Sequence, residues 1–468
     1  MKKNYFTLLL LLLSLAANAQ IFDVDTIQYK GNSDKFINIV IMGDGYTEPQ
    51  QAAFLNRATE FTNSLFNVTP WSNYKNYFNV FAIKVISNET GTKHPNTASD
   101  CNGSLPVSNP DTYFGCTFDA QNIHRLVVVQ SHSRVMSVLA ANVPNYDQAI
   151  ILANSSHYGG SGGTFAVSTT HAQGYQITAH ELGHSFADLG DEYYAGDAYF
   201  SERPNMTLQN NPNLIKWKNW LTLDTAIGIH SHCCGGNTGL WYKPTTNACK
   251  MEILGAAYCS VCKESIIEKI HSLVNPIITY APETLNLSSA ETALTFRLSE
   301  LAKPVPNTLE IKWQLDSTVL ANNSEMFELD PSTLAIGTHT LTATVTDQTV
   351  LVRTTSHADI HFSTVVWTIE KTVLGLQAVA KDMQLSYALY PNPAVGNFTL
   401  ALELSKTADL SVSILSLDGK IVAQIPQKTV GEGKYEQNIN IDNLADGSYL
   451  VAVKVGGTTY TKTLVKQH

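Results

Sequence analysis

Charge is scarce in this chain. Asp, Glu, Lys and Arg make up only 15% of its 468 residues, with 40 acidic side chains against 30 basic ones. A formal net charge of −10 at pH 7 lacks the footprint of a nucleic-acid or anionic-lipid binder, which meets phosphates with clustered Lys and Arg. Neither kind of partner is expected. Long apolar runs are missing as well. The stretch around Leu8–Leu13 is the exception, and it is too short for a spanning helix, which needs about 20 apolar residues. No transmembrane segment is therefore expected. Its flanks, Met1-Lys2-Lys3 and Ala17-Asn18-Ala19, are those of a secretory signal peptide at 1–19, cleaved near Ala19-Gln20. Removing its two lysines would shift the net charge from −10 to −12.

No glycine pattern of the phosphate-binding kind is present. Cysteine is sparse and odd in number, at seven. Export favours disulfides, with Cys101 and Cys116 as a local closure and Cys233, Cys234, Cys249, Cys259 and Cys262 crowded together. One thiol must stay free or pair outside the chain. Cys259-Ser-Val-Cys262, near His230 and His232, would also suit a structural zinc, but disulfides are the preferred expectation in an oxidising compartment.

What is present has a clear texture. Ile37 to Met42 is an apolar run with the length of a buried strand, followed by the turn Gly43-Asp44-Gly45. Thr47 and Gln50 form a capping box with Pro49 in the first turn. Phe54, Ala58, Phe61 and Leu65 then recur at helical spacing. Further strands are predicted at Phe78–Val85, Leu126–Gln130, Ala149–Ala153 and Thr164–Thr169. Strands alternating with helices imply an α/β layer over 20–275. The strand at Thr164–Thr169, entered from a glycine-rich loop, would border a cleft and offer backbone groups to an extended peptide. Beyond Pro276 the pattern becomes short alternating strands, a β-sandwich over 276–370. A linker at 371–386 and a small β-module at 387–468 complete a multidomain chain.

The chemistry is concentrated in "QITAHELGHSFADLGDEYYAG", Gln176 to Gly196. Gln176–Leu189 is predicted helical, with Gly190 as its C′ residue in a left-handed conformation. His180 and His184 lie one turn apart, with Cα atoms roughly 6 Å apart along a rise of about 1.5 Å per residue. Both imidazoles can reach one ion, and Glu181 projects beside it as a base. A catalytic zinc needs a third protein ligand. Asp188 continues the row but lies about 9 Å along the axis from the histidine pair. Gly190 lets the chain fold back, which points to Asp191 or, failing it, Glu192.

These residues, together with "IVIMGDGYT" and "NACKMEILGAAYCSVCKE", resemble the IgA-peptidase-type zinc metallopeptidases over roughly 30–365. The resemblance implies an α/β zincin-like metallopeptidase domain followed by an immunoglobulin-like sandwich. It implies Zn2+ held by His180, His184 and Asp191, Glu181 as general base, and Met251 in a turn beneath the metal. The metzincin signature is not matched, since Ala187 and Gly190 replace its glycine and its third ligand. "YALYPNPAVGNFTL" and "ADGSYLVAVKVGGTTYTKTLVKQ" are similar to the sorting domain of type IX secretion. That likeness implies passage through the periplasm, contact with the type IX machinery, and a secreted or cell-surface destination.

The expected activity is hydrolysis of peptide bonds in extracellular proteins through a metal-activated water. Tyr194, Tyr242 and Tyr258 are the candidate oxyanion donors. The competing expectation is a surface adhesin or glycan-binding protein with a structural or vestigial metal site. Glu181 argues against that alternative, because a closed structural site has no use for a base.

Overall fold

The computed structural model describes residues 20–101, 105–288, 293–355, 357–371 and 387–467. The expected signal peptide lies outside these residues, as does the expected linker apart from Lys371. The described chain divides into two compact units, the first running up to Leu285 and including Ala293–Leu329 and Thr340–Thr368. The second gathers Asn286–Ser288, Asp330–His339 and the residues from Ile369 onward.

The first unit opens with a six-stranded sheet: β1 (Val24–Gln28), β2 (Ile37–Asp44), β3 (Phe78–Ile83), β4 (Gln148–Ala153), β5 (Gly160–Ser161) and β6 (Ala166–Thr169), in the order β1-β3-β2-β4-β6-β5. β2 pairs in parallel with β3 and β4, and β4 with β6, whereas β1 and β5 close the edges antiparallel. All eight positions of β2 are buried, as expected of a parallel strand covered on both faces. Ile39, Ile41, Ile150 and Leu152 face helices α1 (Gln51–Leu65), α3 (Gly174–Ala187) and α4 (Ser260–Leu273). Val40, Met42, Ala149 and Ile151 face α2 (His132–Asn142) on the other side. The capping box forms as expected, with the Thr47 amide donating to Gln50 Oε1 at 3.0 Å.

Three expectations are corrected. Leu126–Gln130 is not a strand; it makes only isolated bridges, Thr117 to Val128 and Leu126 to Gly160. β6 is not an edge, because β4 and β5 occupy its two sides. On that side Val167 and Ser168 are thus already paired with β5. The helix ends at Ala187, not Leu189, because Asp188 takes the left-handed conformation (φ 55°) in place of Gly190. A short polar side chain tolerates that region, and an ion pair with Arg203 holds Asp188 there.

An all-β region follows. β7 (Ile277–Ala281), β8 (Leu294–Leu301) and β11 (Met326–Leu329) form one sheet with β8 central. β9 (Leu309–Leu315), β10 (Thr318–Asn322), β12 (Gly337–Asp347) and β13 (Phe362–Lys371) run β13-β12-β9-β10 in another. Phe296 and Trp313 meet Trp367 at ring-centroid distances of 5.0 and 5.8 Å between the layers.

A buried polar seam ties α4 to this region. His271 Nε2 lies 2.9 Å from Asp347 Oδ2, which also accepts from the Tyr74 hydroxyl at 2.5 Å. Glu268 takes His357 Nδ1 on one oxygen and His361 Nε2, at 2.9 Å, on the other. Burial works against both charges. The imidazoles nonetheless hold Glu268 below its ordinary 4.5, and Glu268 holds His357 above its ordinary 6.5. A raised histidine stabilises fully below 6.5 and loses that contribution as pH rises through its folded value. Glu268→Gln should therefore lower Tm most at pH 5–6.5, with the gap to the parent narrowing at higher pH. Calorimetry across pH checks this, and a gap independent of pH would refute it.

The second unit is all-β as well: β14 (Tyr387–Tyr390), β15 (Asn397–Leu404), β16 (Ala408–Ser416), β17 (Ile421–Val430), β18 (Gly433–Asn440), β19 (Gly447–Val455) and β20 (Thr458–Lys466). They form sheets β14-β15-β18 and β17-β16-β19-β20 around a core including Phe398, Leu400, Val412, Val451 and Leu464.

Candidate metal centre

α3 carries the histidines because its sequence lets it lie flat on the domain. Gly183 faces Met251, whose Sδ would stand 2.7 Å from an added Cβ. A glycine is needed there for the helix to seat on the methionine. Met251 is fully buried in a turn, and that turn shapes the centre twice over. The carbonyl of Lys250 lies 2.9 Å from His180 Nδ1, and that of Met251 accepts from the Glu192 amide at 2.8 Å. On the other histidine, Nδ1 bonds the Leu189 carbonyl at 2.6 Å.

Both imidazoles thus spend their Nδ1–H on backbone carbonyls, leaving Nε2 as an acceptor. The two Nε2 atoms lie 3.1 Å apart, and Asp191 Oδ1 is 3.1 Å from one and 3.2 Å from the other. In their neutral forms, two imidazole lone pairs and a carboxylate facing one another repel unless a positive charge, a metal ion or a shared proton, stands among them. The structure therefore brings His180, His184 and Asp191 to one point, as three potential ligand atoms within 4.8 Å of each other. Burial pushes the His184 pKa down, but Asp191 more than offsets it and carries it to about 9. Burial raises the Asp191 carboxyl, yet its bonds to the two imidazoles bring it well below the usual range. This is a donor set with the chemistry of a divalent-cation site.

The bend that returns Asp191 to the helix is held by side chains far along the chain. Asn205 accepts from the Gly190 amide at 2.7 Å and donates to its carbonyl at 2.8 Å. His232 Nε2 meets the Asp191 carbonyl at 3.0 Å. An added Cβ at Gly190 would lie 2.9 Å from Met206 Cε, so the glycine serves close packing here. Glu192 points elsewhere: fully buried, it accepts from Asn205 at 3.0 Å and Thr245 at 2.9 Å. It gathers with Cys249, Cys259 and Cys262. Burial pushes the Glu192 carboxyl well up.

Half-buried Glu181 sits beside the histidine pair. Its carboxyl is raised by burial, with the two imidazoles opposing and Asp191 reinforcing the shift. Gly162, just past β5, backs directly onto it, since an added Cβ would stand 2.4 Å from Glu181 Oε2.

Residues 26–231 match the family model of IgA Peptidase M64, and residues 388–467 match that of the Secretion system C-terminal sorting domain. The first stretch is an IgA peptidase M64 domain. The sorting domain marks the chain for export, to the medium or the cell surface. Among the described residues no helix is long and apolar enough to cross a membrane.

No curated protein matches the chain. Among solved structures, fibronectin(III)-like modules of Clostridium thermocellum CbhA align at 13% identity and TM-score 0.17, over 40% of this chain and 94% of theirs. A Bacteroides ovatus mixed-linkage glucan SGBP-B, in complex with a heptasaccharide, aligns at 13% and 0.14, over 40% of this chain and 43% of its own. Bacteroides uniformis beta-glucuronidase 3 aligns at 8% and 0.15, over 48% and 28%. Likenesses this slight decide neither fold nor function.

The structure separates the expected tyrosines. The Tyr258 hydroxyl is buried and donates to the Ala179 carbonyl. Tyr194 bonds Asp197 at 3.0 Å, and Tyr242 accepts from Asn210 at 3.1 Å. Tyr193, which sequence reasoning passed over, lies tilted beside His180 at a centroid distance of 6.1 Å. Burial and the charges of Asp191 and Glu181 push its phenol up. Its position directly after Asp-Glu was the available signal.

The expected disulfides do not form. All seven cysteines are free thiols. Cys101 turns to Asp119 and His124 at 3.2 Å each, while Cys116 is buried beside Asp44. Cys249 and Cys262 lie with 3.6 Å between their sulfurs.

Proposed function

We propose that the M64 domain is a secreted zinc-dependent endopeptidase with His180, His184 and Asp191 as zinc ligands and Glu181 as general base. What carries this reading is the meeting of two backbone-anchored imidazole nitrogens and one carboxylate oxygen at 3.1–3.2 Å. Zinc bound there would act as a Lewis acid toward a carbonyl and lower the pKa of water. Glu181, its carboxyl raised by burial, would take a proton from the attacking water and return it to the leaving amine. Tyr193, beside His180, is the hydroxyl best placed to donate to the developing oxyanion. The exposed residues 162–164, next to Glu181, would lie along an extended substrate. We read the β7–β13 region as immunoglobulin-like.

Incubating the zinc-loaded chain with a proteome-derived peptide library, alongside Glu181→Gln, tests the proposal. Zinc-dependent cuts that vanish in the variant are expected, and cuts that persist in it would end the assignment. Gly162→Ala gives a second check. Its methyl would displace the Glu181 carboxylate, so kcat should fall by up to about 10²-fold, as for a catalytic group moved by about 1 Å. Zinc content should stay unchanged, and undiminished kcat would disprove the close approach.

A further inference from the structure

Among the described residues of 84–131, between β3 and α2, there is only one short 3-10 turn, Ala120–Asn122, and a few isolated bridges. Connections beyond roughly 12–15 residues without regular structure are uncommon unless something else orders them. At the centre of this one, His94, Cys101, Asp119 and His124 bring one ligand atom each to within 4.8 Å of one another. The side chain of Asp119 is fully buried and that of His94 nearly so, at 0% and 6% exposure.

The contacts discriminate among the uses of such a group. Cys101 Sγ lies 3.2 Å from both Asp119 Oδ1 and His124 Nδ1, and those two are 2.8 Å apart. A nucleophilic Cys-His-Asp triad places thiol and carboxylate on opposite nitrogens of the ring. Here both converge on the same nitrogen, so the geometry is that of donors around a point. His94 completes it. Its Nδ1 bonds the Pro106 carbonyl at 3.0 Å, and its buried Nε2 has no hydrogen-bond partner among the described residues, lying 4.0 Å from Asp119 Oδ2. A ring anchored by one nitrogen with the other aimed at neighbouring donors is the arrangement of a metal-ligating histidine. Asp119 is oriented in the same fashion, with Oδ2 accepting from the Thr97 amide at 2.9 Å. It holds a left-handed φ of 66°, a conformation that surrounding interactions must sustain.

We infer that His94, Cys101, Asp119 and His124 form a second, structural site for a divalent transition cation, with zinc as the best match to two imidazoles, a thiolate and a carboxylate. Four protein ligands leave no open position, so the site is closed and has no hydrolytic role. Its work is to order the connection that supports the cleft. Just beyond His124, the Arg125 carbonyl accepts from the Gly160 amide at 3.1 Å, and the Val127 carbonyl accepts from Ser161 Oγ at 2.5 Å. These bonds hold β5, and the residue after β5 is Gly162, which backs onto Glu181.

Crystals of the zinc-loaded mature chain, measured on both sides of the zinc absorption edge, locate the ion directly. An anomalous peak among the four side chains is expected. Its absence at saturating zinc would overturn the inference, whatever occupies the His180–His184 site. In solution, a His180→Ala/His184→Ala chain should still retain an ion that is lost on adding Cys101→Ser. The Cys101→Ser chain should also be cut about tenfold faster by trypsin at Lys93 or Arg125 as the connection opens more often. Identical metal content and cutting rates with and without Cys101 would count against the site.

Discussion

Glu181→Gln should lower kcat/KM on a peptide substrate by about 10²–10⁴-fold, the usual contribution of a positioned acid–base group, while the protein keeps its zinc and its Tm. The amide preserves shape and hydrogen-bonding reach but cannot accept and return a proton. Glu181 stands beside the histidine pair without joining the meeting point of His180, His184 and Asp191, so its removal takes no ligand atom from the ion. Metal analysis and kinetics on one preparation separate the two roles. A variant that loses zinc together with activity would show Glu181 to be a ligand, and one that keeps full activity would remove it from the mechanism.

The second large effect distinguishes neighbouring acids. Asp191→Ala should weaken zinc binding by roughly 10²–10³-fold, about 3–4 kcal/mol, for the loss of one partner from a buried charged group. Glu192→Gln should leave zinc affinity nearly unchanged and instead lower Tm. Its two oxygens accept from Asn205 and Thr245 inside a fully buried pocket. An amide there leaves one donor facing another, at a cost of about 1–3 kcal/mol. Competition with a chromophoric chelator, beside thermal melts, reads both outcomes. Reversed outcomes, with zinc lost in Glu192→Gln and kept in Asp191→Ala, would reassign the third ligand.

Much of this was legible from residue spacing. The i, i+4 interval of His180 and His184 places two imidazoles on one face of any helix, whatever surrounds it. The apolar run from Ile37 demands burial, and the interval between Thr47 and Gln50 identifies a helix start. Alternating short strands likewise marked both all-β regions, because a period of two survives without knowledge of the partner strand. The return of Asp191 was legible only in outline. Sequence showed that the chain had to turn back after the helix and named Gly190 as the means. The structure uses Asp188 for the left-handed step and Gly190 for its lack of a side chain against Met206.

Local spacing alone named the residues of α3 that could hold a metal and put a carboxylate, Glu181, next to them, because those relations repeat with the helix. Tertiary structure alone decided that Asn205 clamps the bend, that Lys250 and Leu189 orient the two rings, and that β6 is hemmed in by β4 and β5. It alone gathered His94, Cys101, Asp119 and His124, and gave Cys101 and Cys116 different neighbours. Each of these depends on where separate segments meet in space, and no periodicity along the chain encodes the direction in which a distant loop returns.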